Sequence, residues 1–187
     1  FKFIGEKIKS FEENNNEKTY LFGYEESYGY LVGTHARDKD AVVASLLIAE
    51  MAAYYYSKGM SLYEGLQELY KKYGYFKEET MSLTLAGKEG LEKIAEIISY
   101  YRNNEIESFN NKKVEEVKDF ANGIDGLPKA NVLKYFLEDE SWVAIRPSGT
   151  EPKLKFYIAV KGQEEAVCDE KVAGIKNSIN EVLNQLM

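Results

Sequence analysis

Over residues 142–160 apolar and polar side chains alternate. Val143 and Ile145 share one face of an extended chain, and Leu154, Phe156, Ile158 and Val160 share another. That two-residue period is the mark of β-strands, so the stretch predicts a hairpin connected by RPSGTEP (146–152). Near the start, Ile4, Ile8 and Phe11 recur at helical spacing and the polar run Asn14 to Asn16 ends the pattern. TYLFGY (19–24) reads as a buried strand bounded by glycine-rich turns. DAVVASLLIAEMAAYYYSKG (40–59) predicts the strongest helix, with Asp40 capping its start and Gly59 its stop. Ser61 and Glu64 have capping-box spacing ahead of a further helix, LYEGLQELYKKYG (62–74). The triplet Tyr54, Tyr55 and Tyr56 points three ways around its helix, which suits packing rather than cofactor binding.

The texture changes after Gly74. YFKEETMSLTLAG (75–87), KKVEEVKDF (112–120), NVLKYFLED (131–139) and the alternating stretch predict strands. KEGLEKIAEIISYYRNN (88–104) and the final 24 residues predict helices. Strands mixed with two helices imply an α+β domain, an antiparallel sheet packed on helices. The expected organisation is therefore an α/β segment over 1–74 and an α+β domain over 75–187. There are no internal repeats.

Composition narrows the function classes. With 44% hydrophobic and 29% charged residues among 187, the chain has the balance of a globular protein. No apolar run reaches the ~20 residues of a membrane helix and no signal peptide is visible, so no membrane partner and a cytoplasmic location are expected. The net charge of −7, with basic residues dispersed, argues against nucleic acid as the main partner. One cysteine, Cys168, excludes an internal disulfide framework, and its helical position predicts an inert thiol. The chain opens on Phe1 inside a helical pattern, which leads us to expect part of a longer polypeptide.

Two segments carry candidate chemistry. In RPSGTEPK (146–153), Arg146 offers a planar fork for phosphate, Ser148 and Thr150 offer hydroxyls, and Gly149 permits close approach and positive φ. Lys153 and Lys155 raise the local potential, and Pro147 and Pro152 stiffen the loop before binding. An ordinary Ser-Gly turn with solvated charges is the plain alternative. The second segment runs through FGYEESYGYLVGTHARDKDA (22–41). Carboxylates such as Glu25 and Glu26 accept from vicinal hydroxyls of sugars, and Ser27 donates and accepts. In an extended segment the two glutamates point to opposite faces, which disfavours a glycosidase dyad. His35, Arg37 and Lys39 alternate just before the helix. Asp38 and Asp40 do not by themselves define a metal site.

In these two segments the chain resembles the α-D-phosphohexomutase superfamily, closest to its phosphoglucomutase and phosphomannomutase members. RPSGTEP matches the phosphate loop of the family's fourth domain, and EESYG with HARDKDA matches the sugar loop of the third. Tyr28 and Gly29 depart from the GEMSGH form and favour the glucose branch. The resemblance covers nearly the whole chain and implies the C-terminal part of domain 3 followed by domain 4. It implies that Glu25 and Ser27 bind hydroxyls 3 and 4 of a hexose, with Arg37 alongside. Arg146, Ser148, Gly149 and Thr150, helped by Lys155, hold the phosphate that is not transferred. His35 and Lys39 are the candidate catalytic groups, Lys39 for phosphate binding or proton transfer.

The implied reaction interconverts hexose 1-phosphate and hexose 6-phosphate through a phosphoserine and a sugar bisphosphate, with glucose 1-phosphate and glucose 6-phosphate as the expected partners. Neither a Ser-His-Asn-Pro motif nor an Asp-rich DGDxDR loop occurs in the sequence. The phosphoserine and the Mg²⁺ therefore belong to N-terminal domains outside this chain, and no metal is expected within it. The alternative is a non-catalytic phosphosugar-binding module.

Overall fold

The computed structural model describes residues 1–14, 18–25 and 27–187. They fall into two compact units, Phe1–Glu68 and Leu69–Met187. In the first, α1 (Lys2–Glu13) buries Ile8 completely, the centre of its predicted apolar stripe. Strands β1 (Phe22–Glu25) and β2 (Gly29–Val32) pair antiparallel, with Phe22 opposite Val32 and Glu25 opposite Gly29. The TYLFGY expectation needs correction: the strand starts only at Phe22, and Phe22 and Tyr24 are 49% and 66% exposed. Sequence pattern marks the faces of a strand but not what covers them.

Helix α2 (Ala41–Ser57) begins where Asp40 accepts hydrogen bonds from the backbone N–H groups of Val42 and Val43. Lys58 ends it and Gly59 turns the chain out at φ +71°, as the Gly59 stop requires. None of its residues is buried among the described residues. The capping box also forms: the Ser61 backbone N–H donates to Glu64 (2.7 Å) and the Glu64 N–H donates to the Ser61 hydroxyl (3.2 Å). It opens α3 (Leu62–Tyr73), in which the divide between the units falls. Of the tyrosine triplet, Tyr55 lies across Gly65, where a Cβ would stand 2.5 Å from the ring. Tyr54 and Tyr56 are exposed.

The second unit is one antiparallel sheet backed by two helices. Its strands are β3 (Tyr75–Thr84), β4 (Ser108–Phe109), β5 (Lys112–Asp119), β6 (Leu133–Leu137), β7 (Trp142–Pro147) and β8 (Lys153–Gly162). They lie in the order β3-β8-β7-β6-β5-β4. Helices α4 (Gly87–Asn103) and α5 (Glu165–Leu186) pack against it. Ile94, Ile97, Ile98 and Tyr101 of α4, with Val172, Ile175 and Ile179 of α5, close over the sheet. Register sets Val143 opposite Ile158 and Ile145 opposite Phe156, so both predicted apolar rows meet in this core. Cys168 is buried in α5, its thiol 3.4 Å from the Tyr75 carbonyl oxygen, and burial pushes its pKa up. The opposite face of the sheet carries the alternate residues of each strand, among them Trp142, Ala144 and Arg146 of β7. Among the described residues no helix is long and apolar enough to cross a membrane.

Candidate functional site

The first constellation sits on the β1–β2 hairpin and the segment leading into α2. Glu25 ends β1, and its Oε2 lies 2.7 Å from the backbone nitrogen of Phe1. Lys39 Nζ stands 3.6 Å from the other carboxylate oxygen. Gly29, directly opposite, leaves room for both side chains: a Cβ there would lie 2.8 Å from Glu25 Oε1 and 3.0 Å from Lys39 Cδ, and they would have to shift. Ser27 and Tyr28 are exposed in the turn, with Tyr28 at φ +64°. Glu26 lies outside the described residues.

Lys39 is also 3.1 Å from Asp38, whose hydrogen bond is the first cause raising the pKa of the lysine. The ammonium is thus held between the carboxylates of Asp38 and Glu25. His35 Nε2 lies 2.8 Å from Asp40 Oδ2, while Asp40 Oδ1 caps α2. Sequence reading assigned Asp40 only the cap; its hold on His35 needed the loop geometry. Arg37 is occupied differently. Its Nη2 forks onto both Glu12 oxygens (2.6 and 2.7 Å) and its Nη1 donates to the Thr34 carbonyl (2.6 Å), so it straps the loop to α1.

The His35 contact, ahead of the two backbone N–H groups, holds the Asp40 carboxyl below its ordinary 3.8. A carboxylate with a lowered folded pKa stabilises the fold above its unfolded value, and that contribution is lost as pH falls through the folded pKa. Asp40→Ala is therefore expected to lower the melting temperature at neutral pH and to flatten its decline below about pH 4. Parallel acid-unfolding curves for the two proteins would refute the assignment.

The second constellation closes the β7–β8 hairpin. Ser148 N–H donates to the Lys153 carbonyl (2.8 Å), and the Thr150 and Glu151 N–H groups point at the Ser148 hydroxyl (3.4 and 3.3 Å). Leu85 N–H donates to the Pro152 carbonyl (3.0 Å), which ties the loop to the end of β3. Gly149 is exposed in open space, and the positive φ that glycine permits is not adopted. The Ser148 turn reverses the chain without it, so the backbone geometry does not require glycine here. Arg146 faces Lys155 directly across the two strands. Two cations opposed in register repel unless an anion lies between them. Neither makes an ion pair among the described residues, whereas Lys153 is matched by Glu151 (3.2 Å). That opposition follows from the loop length, which sequence reading did not convert into a register.

Among the described residues no group of three or more His, Cys, Asp or Glu is placed to hold a metal ion. Asp38 is engaged by Lys39 and Asp40 by His35 and the helix cap, so the donor set does not fit one.

The architecture is that of an α/β domain followed by an α+β domain. Residues 1–73 match the model for phosphoglucomutase/phosphomannomutase, alpha/beta/alpha domain III, and residues 103–178 match that for the C-terminal domain. The chain belongs to the phosphoglucomutase/phosphomannomutase family. It is 38% identical over 173 residues to the phosphoglucomutase of Staphylococcus aureus strain MRSA252, covering 86% of this chain and 30% of that protein. It is 34% identical over 172 residues to that of Staphylococcus saprophyticus, covering 86% of this chain and 31% of the relative. Among solved structures, the open form of pp63/parafusin, a phosphoglucomutase from Paramecium, superposes with a TM-score of 0.62 at 18% identity. That match covers 96% of this chain and 32% of the parafusin chain. The chain thus spans about a third of the length of the curated relatives it matches.

Proposed function

We propose that this chain supplies substrate recognition to a phosphoglucomutase that moves a phosphoryl group between carbons 1 and 6 of a hexose through a phosphoserine and a bisphosphate. The observation that carries this reading is the pair Arg146 and Lys155, opposed in register without a carboxylate beside a loop of small hydroxyl residues. Such a pair is completed by a phosphate dianion, to which the Arg146 fork and the Gly149 N–H donate. Glu25 and Ser27 read hydroxyls 3 and 4, which occupy similar places whichever way round the sugar binds. Lys39 contributes charge rather than proton transfer, and Arg37 positions the loop through Glu12. Binding energy spent on the non-reacting phosphate orients the reacting end. The phosphoserine and metal come from the part of the enzyme outside this chain.

Glu25→Ala should weaken binding of glucose 1-phosphate while leaving affinity for inorganic phosphate nearly unchanged. Isothermal titration of both ligands separates the roles, and equal losses would count against hydroxyl reading by Glu25. Ordinary turnover of glucose 1-phosphate but not mannose 1-phosphate by the intact enzyme would place it in the glucose branch.

A further inference from the structure

The sheet face turned away from α4 and α5 carries a second arrangement beside the phosphate loop. Register places Tyr157, Ala144 and Lys134 side by side on β8, β7 and β6. One row nearer the loop stand Lys155 and Arg146; one row further stands Trp142. Rows on one face of a strand are two residues apart, or about 7 Å. Ala144 is thus a low floor with larger side chains around it. The Lys134 ammonium lies 3.9 Å from the centre of the Trp142 ring and 4.9 Å from that of Phe136. Burial lowers its pKa, the Glu78 carboxylate opposes that shift, and Lys118, its opposite number on β5, adds to it. Lys134, Lys155 and Arg146 make no ion pair among the described residues, although acidic side chains outnumber basic ones in the chain.

From this juxtaposition we infer that the open sheet face holds a nucleoside phosphate, with its phosphate on Arg146 and Lys155 and its base over Ala144, between Tyr157 and the Lys134–Trp142 stack. Three unpaired cations set the sign of the ligand. The Ala144 floor lies one row, about 7 Å, from the Arg146 row, so a ligand spanning both carries its phosphate and its ring at separate ends. The π faces of Tyr157 and Trp142 suit a flat ring, and the ammonium suits the acceptor atoms on its edge. The carboxylates on this face, Glu78 and Glu116, stand in the Trp142 row, and none stands in the Ala144 or Arg146 row. The site shares Arg146 with the phosphosugar reading and rests on it only there. A nucleoside phosphate bound here therefore competes with the phosphosugar.

Trp142 is the sole tryptophan, so its fluorescence reports on the site directly. Adenosine 5′-monophosphate should quench it saturably, and at least tenfold more tightly than inorganic phosphate or adenosine alone. Lys134→Met, which keeps the stem over the ring and removes the charge, should raise the dissociation constant roughly tenfold in titration calorimetry. It should leave the circular dichroism spectrum and glucose 1-phosphate affinity unchanged. Tyr157→Ala should do the same. Equal affinity for adenosine 5′-monophosphate and inorganic phosphate, or an unaltered nucleotide affinity in Lys134→Met, overturns the inference. Glucose 1-phosphate binding without nucleotide binding overturns it alone; nucleotide binding without glucose 1-phosphate binding overturns the phosphosugar reading alone.

Discussion

Replacing Arg146 with alanine should weaken glucose 1-phosphate and inorganic phosphate binding alike, by about 1.5–3 kcal/mol, the range for hydrogen bonds to charged groups. That corresponds to roughly a 10- to 150-fold rise in Kd. The side chain is exposed and makes no ion pair among the described residues, so its removal leaves no buried partner unsatisfied. It also relieves the repulsion from Lys155 across the hairpin. Stability should accordingly stay within about 0.5 kcal/mol of the parent or rise slightly. Loss of affinity at constant stability separates a ligand contact from a structural one. Arg146→Lys should recover part of the affinity, since a point charge remains but the bidentate fork is gone. Titration calorimetry on the folded variant with unchanged affinity for both ligands would sink the anion-binding role.

How much of this was legible depended on whether the information was local. The β7–β8 hairpin could be read directly, because its alternation is strict and two prolines bracket the connection. The caps at Asp40 and Ser61 were equally legible, since each is decided within four residues. What required tertiary structure was register and cover. Lys134 stands next to Ala144 only because β6 pairs with β7 in one particular alignment, and a one-residue slip would place it on the core face. TYLFGY has the apolar content of a core strand, yet its two rings at Phe22 and Tyr24 lie exposed. Gly149 shows a related limit: residue type permits a left-handed backbone without requiring one. Arg37 carried the same sequence signal as Lys39, but a glutamate 25 residues upstream claims it.

Gly90→Ala is expected to destabilise the second unit, although helix propensity argues the other way. Alanine in a helix interior is favoured over glycine by about 1 kcal/mol. Gly90, however, is buried in the first turns of α4, where a Cβ would lie 2.5 Å from the Leu85 carbonyl carbon and closer still to its oxygen. This contact is with backbone, which cannot swing aside as the end of a side chain can. Leu85 is further pinned by its hydrogen bond to the Pro152 carbonyl. Overpacking of this kind costs up to about 3 kcal/mol, so the net loss should be roughly 2 kcal/mol. The melting temperature of the unit should fall by about 8 °C. Because Leu85 holds Pro152, the displacement reaches the phosphate loop, and phosphate affinity should fall although no ligand contact has been touched. Gly149→Ala gives the contrast, since nothing lies within 4 Å of its Cβ position and its φ suits any residue. Its stability should change by less than about 0.5 kcal/mol. A Gly90→Ala variant that melts at or above the parent temperature would show that α4 shifts to absorb the methyl group, and that Leu85 does not couple this helix to the loop.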